Sequence, residues 1–108
     1  MKMDEKEDAA SFHDEKVKEF GELFEEISRI LYLHDPLDVA SSGAPPDEYD
    51  GEAAEIIPRL KDCKAPQDAR KVLHEIFVVW CGPGFIGPEE SFTEAAREVW
   101  QAWLRHYN

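Results

Sequence analysis

The sequence predicts an all-α fold, a compact bundle of four main helices, and three observations carry that prediction. Apolar residues recur three and four places apart over long stretches, the period of an amphipathic helix. No segment alternates apolar and polar residues as a half-buried strand would. The breaks between periodic stretches are short, apart from one acidic connection, and short connections join packed helices into a bundle. At 108 residues the chain makes one domain, with a core that buries roughly two-thirds of the surface of the unfolded chain. We read residues 1–10 as a frayed start and 11–108 as the helical domain.

The first ten residues are charged and without period. Ser11, with Asp14 three places later, then looks like a helix cap. Val17, Phe20, Phe24, Ile27 and Leu31 form one stripe, widened by Leu23 and Ile30, and predict a first helix over 12–33. Gly21 is its weak point, costing about 1 kcal/mol against alanine. The helix must end by His34 or Asp35, since Pro36 disfavours helical geometry in the residue before it.

Ser41 to Pro46 is a loop by composition. Asp50 is the expected cap of the second helix, with Glu52 in its first turn and Tyr49 one place before the cap, packing back on Ala54. Ala53, Ile56, Ile57 and Leu60 make its inner face, and Pro58 should kink it or end it early. Pro66 suits the first turn of a third helix carrying Ala69, Val72, Leu73, Ile76, Phe77 and Trp80. From Val72 to Cys81 only His74 and Glu75 interrupt the apolar run, so this helix should be the buried spine. Gly82, Pro83 and Gly84 end it. The fourth helix starts at Pro88 or is capped by Ser91, and Phe92, Ala95, Ala96, Val99, Trp100, Trp103 and Leu104 form its apolar stripe.

Charge narrows the class of partner. With 24 acidic and 12 basic residues the net charge is −12, which argues against nucleic acid and anionic membrane, both of which need a positive footprint. A basic protein partner remains allowed. No apolar run approaches the ~20 residues of a membrane span, and the charged start lacks the apolar stretch of a signal peptide, so a cytoplasmic protein is expected. Cys63 and Cys81 stand in neither a zinc nor a redox spacing and are expected as reduced thiols.

Three pieces together resemble a family of short, all-helical bacterial proteins known only as a domain of unknown function. They are His34-Asp35-Pro36-Leu37 at a helix end, Asp47 to Glu52 before a short helix, and Ile76-Phe77-Val78-Val79-Trp80 ahead of a Gly-Pro loop. The likeness runs from about Leu31 to Leu104. In that family an aromatic residue commonly precedes the Asp-Pro pair and a glycine follows it, where this chain has His34 and Asp38. The resemblance implies a helical fold and carries no activity.

Enzyme motifs are missing. His74-Glu75 begins like a zinc-protease helix, but Val78 and Val79 occupy the places where the second histidine would come. No phosphate-cradling loop and no Gly-x-Ser-x-Gly elbow occurs. We therefore expect a non-catalytic protein, without a cofactor, that acts through the acidic connection over 34–52. Between Arg29 and Arg59 stand seven carboxylates (Asp35, Asp38, Asp47, Glu48, Asp50, Glu52, Glu55) and no Lys or Arg. Such a block steers a cationic partner into place, as an inhibitor or immunity-like protein would. The expected contact residues are Asp35, Asp38, Asp47, Glu48, Tyr49, Asp50 and Glu52, with Tyr49 as the aromatic anchor, on a monomer or homodimer. The alternative is a divalent metal held by the same hard oxygens, although the calcium-loop template fails because Pro46 stands in its first place.

Overall fold

In a computed structural model the described residues are 5–38, 42–82 and 84–107, with side chains described from Phe12 onward. They form five α-helices and no strand: α1 (Glu5–Phe20), α2 (Glu22–His34), α3 (Asp50–Leu60), α4 (Pro66–Cys81) and α5 (Thr93–Tyr107), the last entered through a 3-10 turn over Glu89–Phe92. The all-α fold is as predicted; the helix count is not. Gly21 splits the first predicted helix in two. It adopts φ 71° and ψ −153°, a backbone conformation open to glycine and strained for residues with a Cβ. Its amide closes α1 on the Val17 carbonyl at 2.7 Å, and its carbonyl accepts the Phe24 amide at 3.1 Å as α2 begins. Because the backbone is helical from Glu5, Ser11 lies inside α1 and does not cap it. The expected frayed start falls partly on residues 1–4, outside the described residues.

Pro58 lies inside α3 on its exposed side, and the helix ends two residues later at Leu60. Pro66 takes the first turn of α4, as its missing amide predicts, and Gly82 (φ 86°) closes that helix by donating to the Val78 carbonyl at 2.7 Å. Neither predicted start of the last helix holds: α5 begins at Thr93, after a 3-10 turn that takes in Ser91. Pro88 is the extended residue that opens the 3-10 turn, and Ser91 donates its hydroxyl back to the Pro88 carbonyl at 2.7 Å before α5 begins.

The helices α2, α3, α4 and α5 each pack on the next, and α5 closes back on α2. The ring encloses Leu23, Phe24, Ile27 and Leu31 of α2, Ile56 and Leu60 of α3, Leu73 and Phe77 of α4, and Val99 of α5, all essentially without exposure. Burying each such side chain stabilises by about 1.5–3 kcal/mol. At the centre the Phe77 ring meets Tyr49 at 5.8 Å and Phe92 at 5.5 Å. Side-chain contacts also tie α2 to α5: His34 meets Glu98 at 2.9 Å, and Glu26 meets both Arg105 and His106. His106 thus meets Glu26, not the last carbonyls of its own helix. α1 stands outside the ring, packed on α2 and more lightly on α3.

The spine expected of α4 holds only for one face. Val72, Leu73, Ile76 and Phe77 are buried, while Val79 is 79% and Trp80 50% exposed. Periodicity counts apolar residues, but burial requires a covering neighbour, and α3 covers only one side of the last turns of α4. Trp100 and Trp103 are half-buried against the core. His74 sits at the core boundary, its ring 5.8 Å from Phe92 and its Nε2 3.2 Å from the Gly87 carbonyl oxygen.

Candidate functional site

The acidic connection leaves α2 through Asp35, which takes the left-handed conformation (φ 50°, ψ 59°) while its amide donates to Leu31 at 2.7 Å. Aspartate tolerates this geometry better than most residues. Asp38 repeats it at φ 56°, with its amide on the Asp35 carbonyl at 2.9 Å. Two tyrosines hold the connection down. The Tyr32 hydroxyl donates to the Ala44 carbonyl at 2.8 Å. Tyr49 has no exposed surface; its hydroxyl donates to Asp35 Oδ1 at 2.7 Å and accepts the Leu37 amide at 3.1 Å. Burial, first, and the bond to the Asp35 carboxylate push the Tyr49 phenol well above its usual range, so it stays a neutral donor. Val39, Ala40 and Ser41 of the connection lie outside the described residues.

Tyr49 itself occupies the cap position of α3, and its carbonyl accepts the Ala53 amide at 2.9 Å. The expected cap, Asp50, is instead the first residue of the helix, and Tyr49 packs on Phe77 where a staple to Ala54 was expected. The Asp50 carboxylate turns inward, 5% exposed, and grips two other helices. One oxygen accepts the Ser28 hydroxyl of α2 at 2.6 Å; the other meets His13 Nδ1 of α1 at 2.8 Å. The His13 ring stands edge-on to Phe24 at 5.4 Å, with Glu25 3.8 Å from its Nε2. The bond to Asp50 raises the His13 pKa above 6.5 against the opposing effect of burial, helped by the charges of Asp50, Glu25 and Asp14.

Serine, histidine and aspartate together suggest a nucleophile relay, but the connectivity excludes one here. The Ser28 hydroxyl donates its hydrogen bond to Asp50, not to His13, and the Asp50-facing nitrogen of His13 is engaged on the same carboxylate. The cluster is a structural tie of three helices.

Glu52 is also 5% exposed, and its pKa is raised, first by burial and then by the charges of Glu48, Glu55 and Asp50. Of the seven predicted contact residues, then, Tyr49, Asp50 and Glu52 face inward. Asp38 and Glu48 are exposed, and Asp35 and Asp47 are part-buried at the surface. Asp35 is the only one of the outward four that Tyr49 is shown to bind directly among the described residues. Below the connection a small cleft of about 260 Å³ separates His34, Asp35 and Pro36 from Gly87, Ser91 and Phe92. Among the described residues no three His, Cys, Asp or Glu side chains come together as a metal-holding group. Cys63 and Cys81 are free and half-buried, and burial pushes both thiols up, away from the reactive thiolate. No described helix is long and apolar enough to cross a membrane.

Sequence reasoning missed His13, Ser28 and Tyr32. Ser28 carried a signal: it lies four places from Phe24 on the apolar stripe, and a hydroxyl on a buried face needs a partner. His13 and Tyr32 gave none, because their partners lie 37 and 12 residues away. No family model matches the chain, and neither the curated proteins nor the solved structures contain a match to it.

Proposed function

We propose that the protein is a non-catalytic interaction or regulatory module, of the inhibitor or immunity-like kind, whose acidic connection meets a basic surface on another protein in the cytoplasm. The observation that carries this reading is the anchoring of the connection. Tyr49 holds Asp35 and the Leu37 amide, Tyr32 holds the Ala44 carbonyl, and the Asp38 and Glu48 amides are bonded in turns, so Asp35, Asp38, Asp47 and Glu48 stand on held backbone among the described residues. A held array of carboxylates loses less freedom on binding than a floppy one, and it raises the association rate for a cationic surface.

Retention of proteins from the cell that makes this chain tests the reading. A basic partner is expected to be held at ~0.05 M salt and released by ~0.5 M, as screening shortens the reach of surface charge. The Asp38→Asn/Asp47→Asn/Glu48→Gln variant, which leaves the inward groups untouched, is expected to lose it. No partner at low salt, or retention indifferent to both salt and the variant, would overturn the reading.

A further inference from the structure

A second surface adjoins the first turn of α3. The inner sides of α3 and α4 pack together through Ile56, Ile57, Leu60, Leu73, Ile76 and Phe77. Their outer sides diverge and leave a groove of about 520 Å³. Its apolar lining is Ile76, Val78 and Val79; Glu55, Arg59 and Glu75 rim it. Val79 is 79% exposed, forgoing most of the stabilisation its burial would bring. Beside it Trp80 is half exposed. Its indole N–H donates to Glu55 Oε2 at 2.6 Å, and its ring lies so close over Gly51 that a Cβ there would come within 2.6 Å of Cη2.

The groove lining carries Glu55 and Glu75 against Arg59, with His74 beside them. Glu75 engages Arg59 at 2.6 Å, which leaves Glu55 as the rim charge without an opposite partner among the described ion pairs. Glu55 and Arg59 stand about one helical turn apart on the exposed side of α3, and Glu48 is exposed in the turn before that helix. Beneath them the inward-facing Glu52 has its pKa raised, first by burial and then by the charges of Glu48, Glu55 and Asp50. The last turn of α4, where Val79 and Trp80 lie, contains no basic residue to offset the negative end of the helix dipole.

We propose that this groove seats a cationic amphipathic helix of another protein, its apolar face on Ile76, Val78 and Val79 and its Lys or Arg flank on Glu55 and the end of α4. A cleft between two helices takes a third by the helix-in-groove mode, anchored by residues three and four places apart. Trp80 offers a ring face to a guanidinium or ammonium group, and tryptophan is prominent among binding hot spots. The sign of the charge selects the occupant. A second copy would bring the same acidic rim against this one, and an anionic membrane would meet it with like charge. The proposal rests on reading the protein as an interaction module and names the partner's recognition element.

The probe is a synthetic Lys/Leu peptide of about 18 residues, roughly five helical turns, with leucine at helical spacing. A scrambled peptide of the same composition controls for unspecific attraction to an acidic protein. Amide NMR shifts on titration are expected to cluster on residues 55–59 and 74–80, and the scrambled peptide is expected to bind at least about tenfold more weakly. Val79→Asp, at a largely exposed position, is expected to weaken the ordered peptide about tenfold or more while leaving thermal unfolding near that of the parent; Glu55→Gln/Glu75→Gln gives an independent check through charge. Equal binding of the two peptides, shifts confined to residues 35–48, or full affinity in both variants would overturn the groove. So would concentration-dependent self-association abolished by Val79→Asp, which would make a second copy the occupant. Loss of binding in Asp38→Asn/Asp47→Asn/Glu48→Gln alone would leave the acidic connection standing and remove the groove. Loss in Val79→Asp alone would do the reverse.

Discussion

At the start of α3 polar side chains lie inside the molecule; at the end of α4, whose Trp80 rests on that same turn, apolar side chains lie outside. Each region inverts the ordinary rule, with opposite consequences. An inward carboxylate without partners costs several kcal/mol, so Asp50 is held in place by Ser28 and His13. An outward valine costs the fold only an opportunity. The polar interior therefore reports on how the fold is tied, and the apolar exterior on what the fold leaves for something else to cover.

Five substitutions and a change of pH would break or sharpen that contrast. The largest effect is expected from Asp50→Ala, which leaves the Ser28 hydroxyl and His13 without their shared acceptor and should destabilise by about 3 kcal/mol. Tyr49→Phe keeps the ring on Phe77 but strips Asp35 and the Leu37 amide of a partner, for about 1–3 kcal/mol. Urea unfolding at neutral pH measures both; a cost under about 0.5 kcal/mol for Asp50→Ala would show the tie to be incidental.

The next effect is a dependence on pH. His13 has a folded-state pKa raised above 6.5, so its contribution is fully present below 6.5 and is lost as pH rises through the folded value. Glu52, raised above 4.5 by burial and by its neighbours' charge, acts in the same direction over a lower window. The stability difference between the parent and His13→Gln is thus expected to shrink as pH climbs above 6.5. A difference that grows instead would contradict the His13–Asp50 tie. Glu52→Gln is expected to stabilise the protein at neutral pH, since it removes a buried charge crowded by three others. The smallest effect belongs to the other region: Val79→Asp should change stability by no more than about 0.5 kcal/mol. A large loss there would place Val79 in the core and end the contrast.

What the sequence made legible follows the reach of each interaction. Pro66 at the first turn of α4 and Pro36 just past α2 act on their own backbone, and both were readable. So was the inner stripe of α2, because periodicity is local. Gly21 was visible as a weak point, but its left-handed backbone comes from how α1 lies on α2, which no single residue announces. Asp50 carried a sound local signal for capping; Ser28 and His13, 22 and 37 residues away, outbid the free amides of its own helix. Tyr49 read as an outward anchor since its neighbours are acidic, yet the Phe77 ring and the Asp35 carboxylate draw it inside. The site was therefore found as a stretch of chain, and its division into inward and outward residues required the third dimension.

The break at Gly21 also divides the molecule in time. Because the ring of α2, α3, α4 and α5 closes without α1, the first helix is joined to the rest by one hinge, by Val17 and Phe20 packed on the core, and by the tie of His13 to Asp50. Its release requires no opening of the ring, so its amides are expected to exchange with solvent through a local fluctuation, well ahead of those of α4. Each such excursion is expected to bare Phe24 and Asp50 on the flank of α2 and α3, giving a covered and an uncovered form.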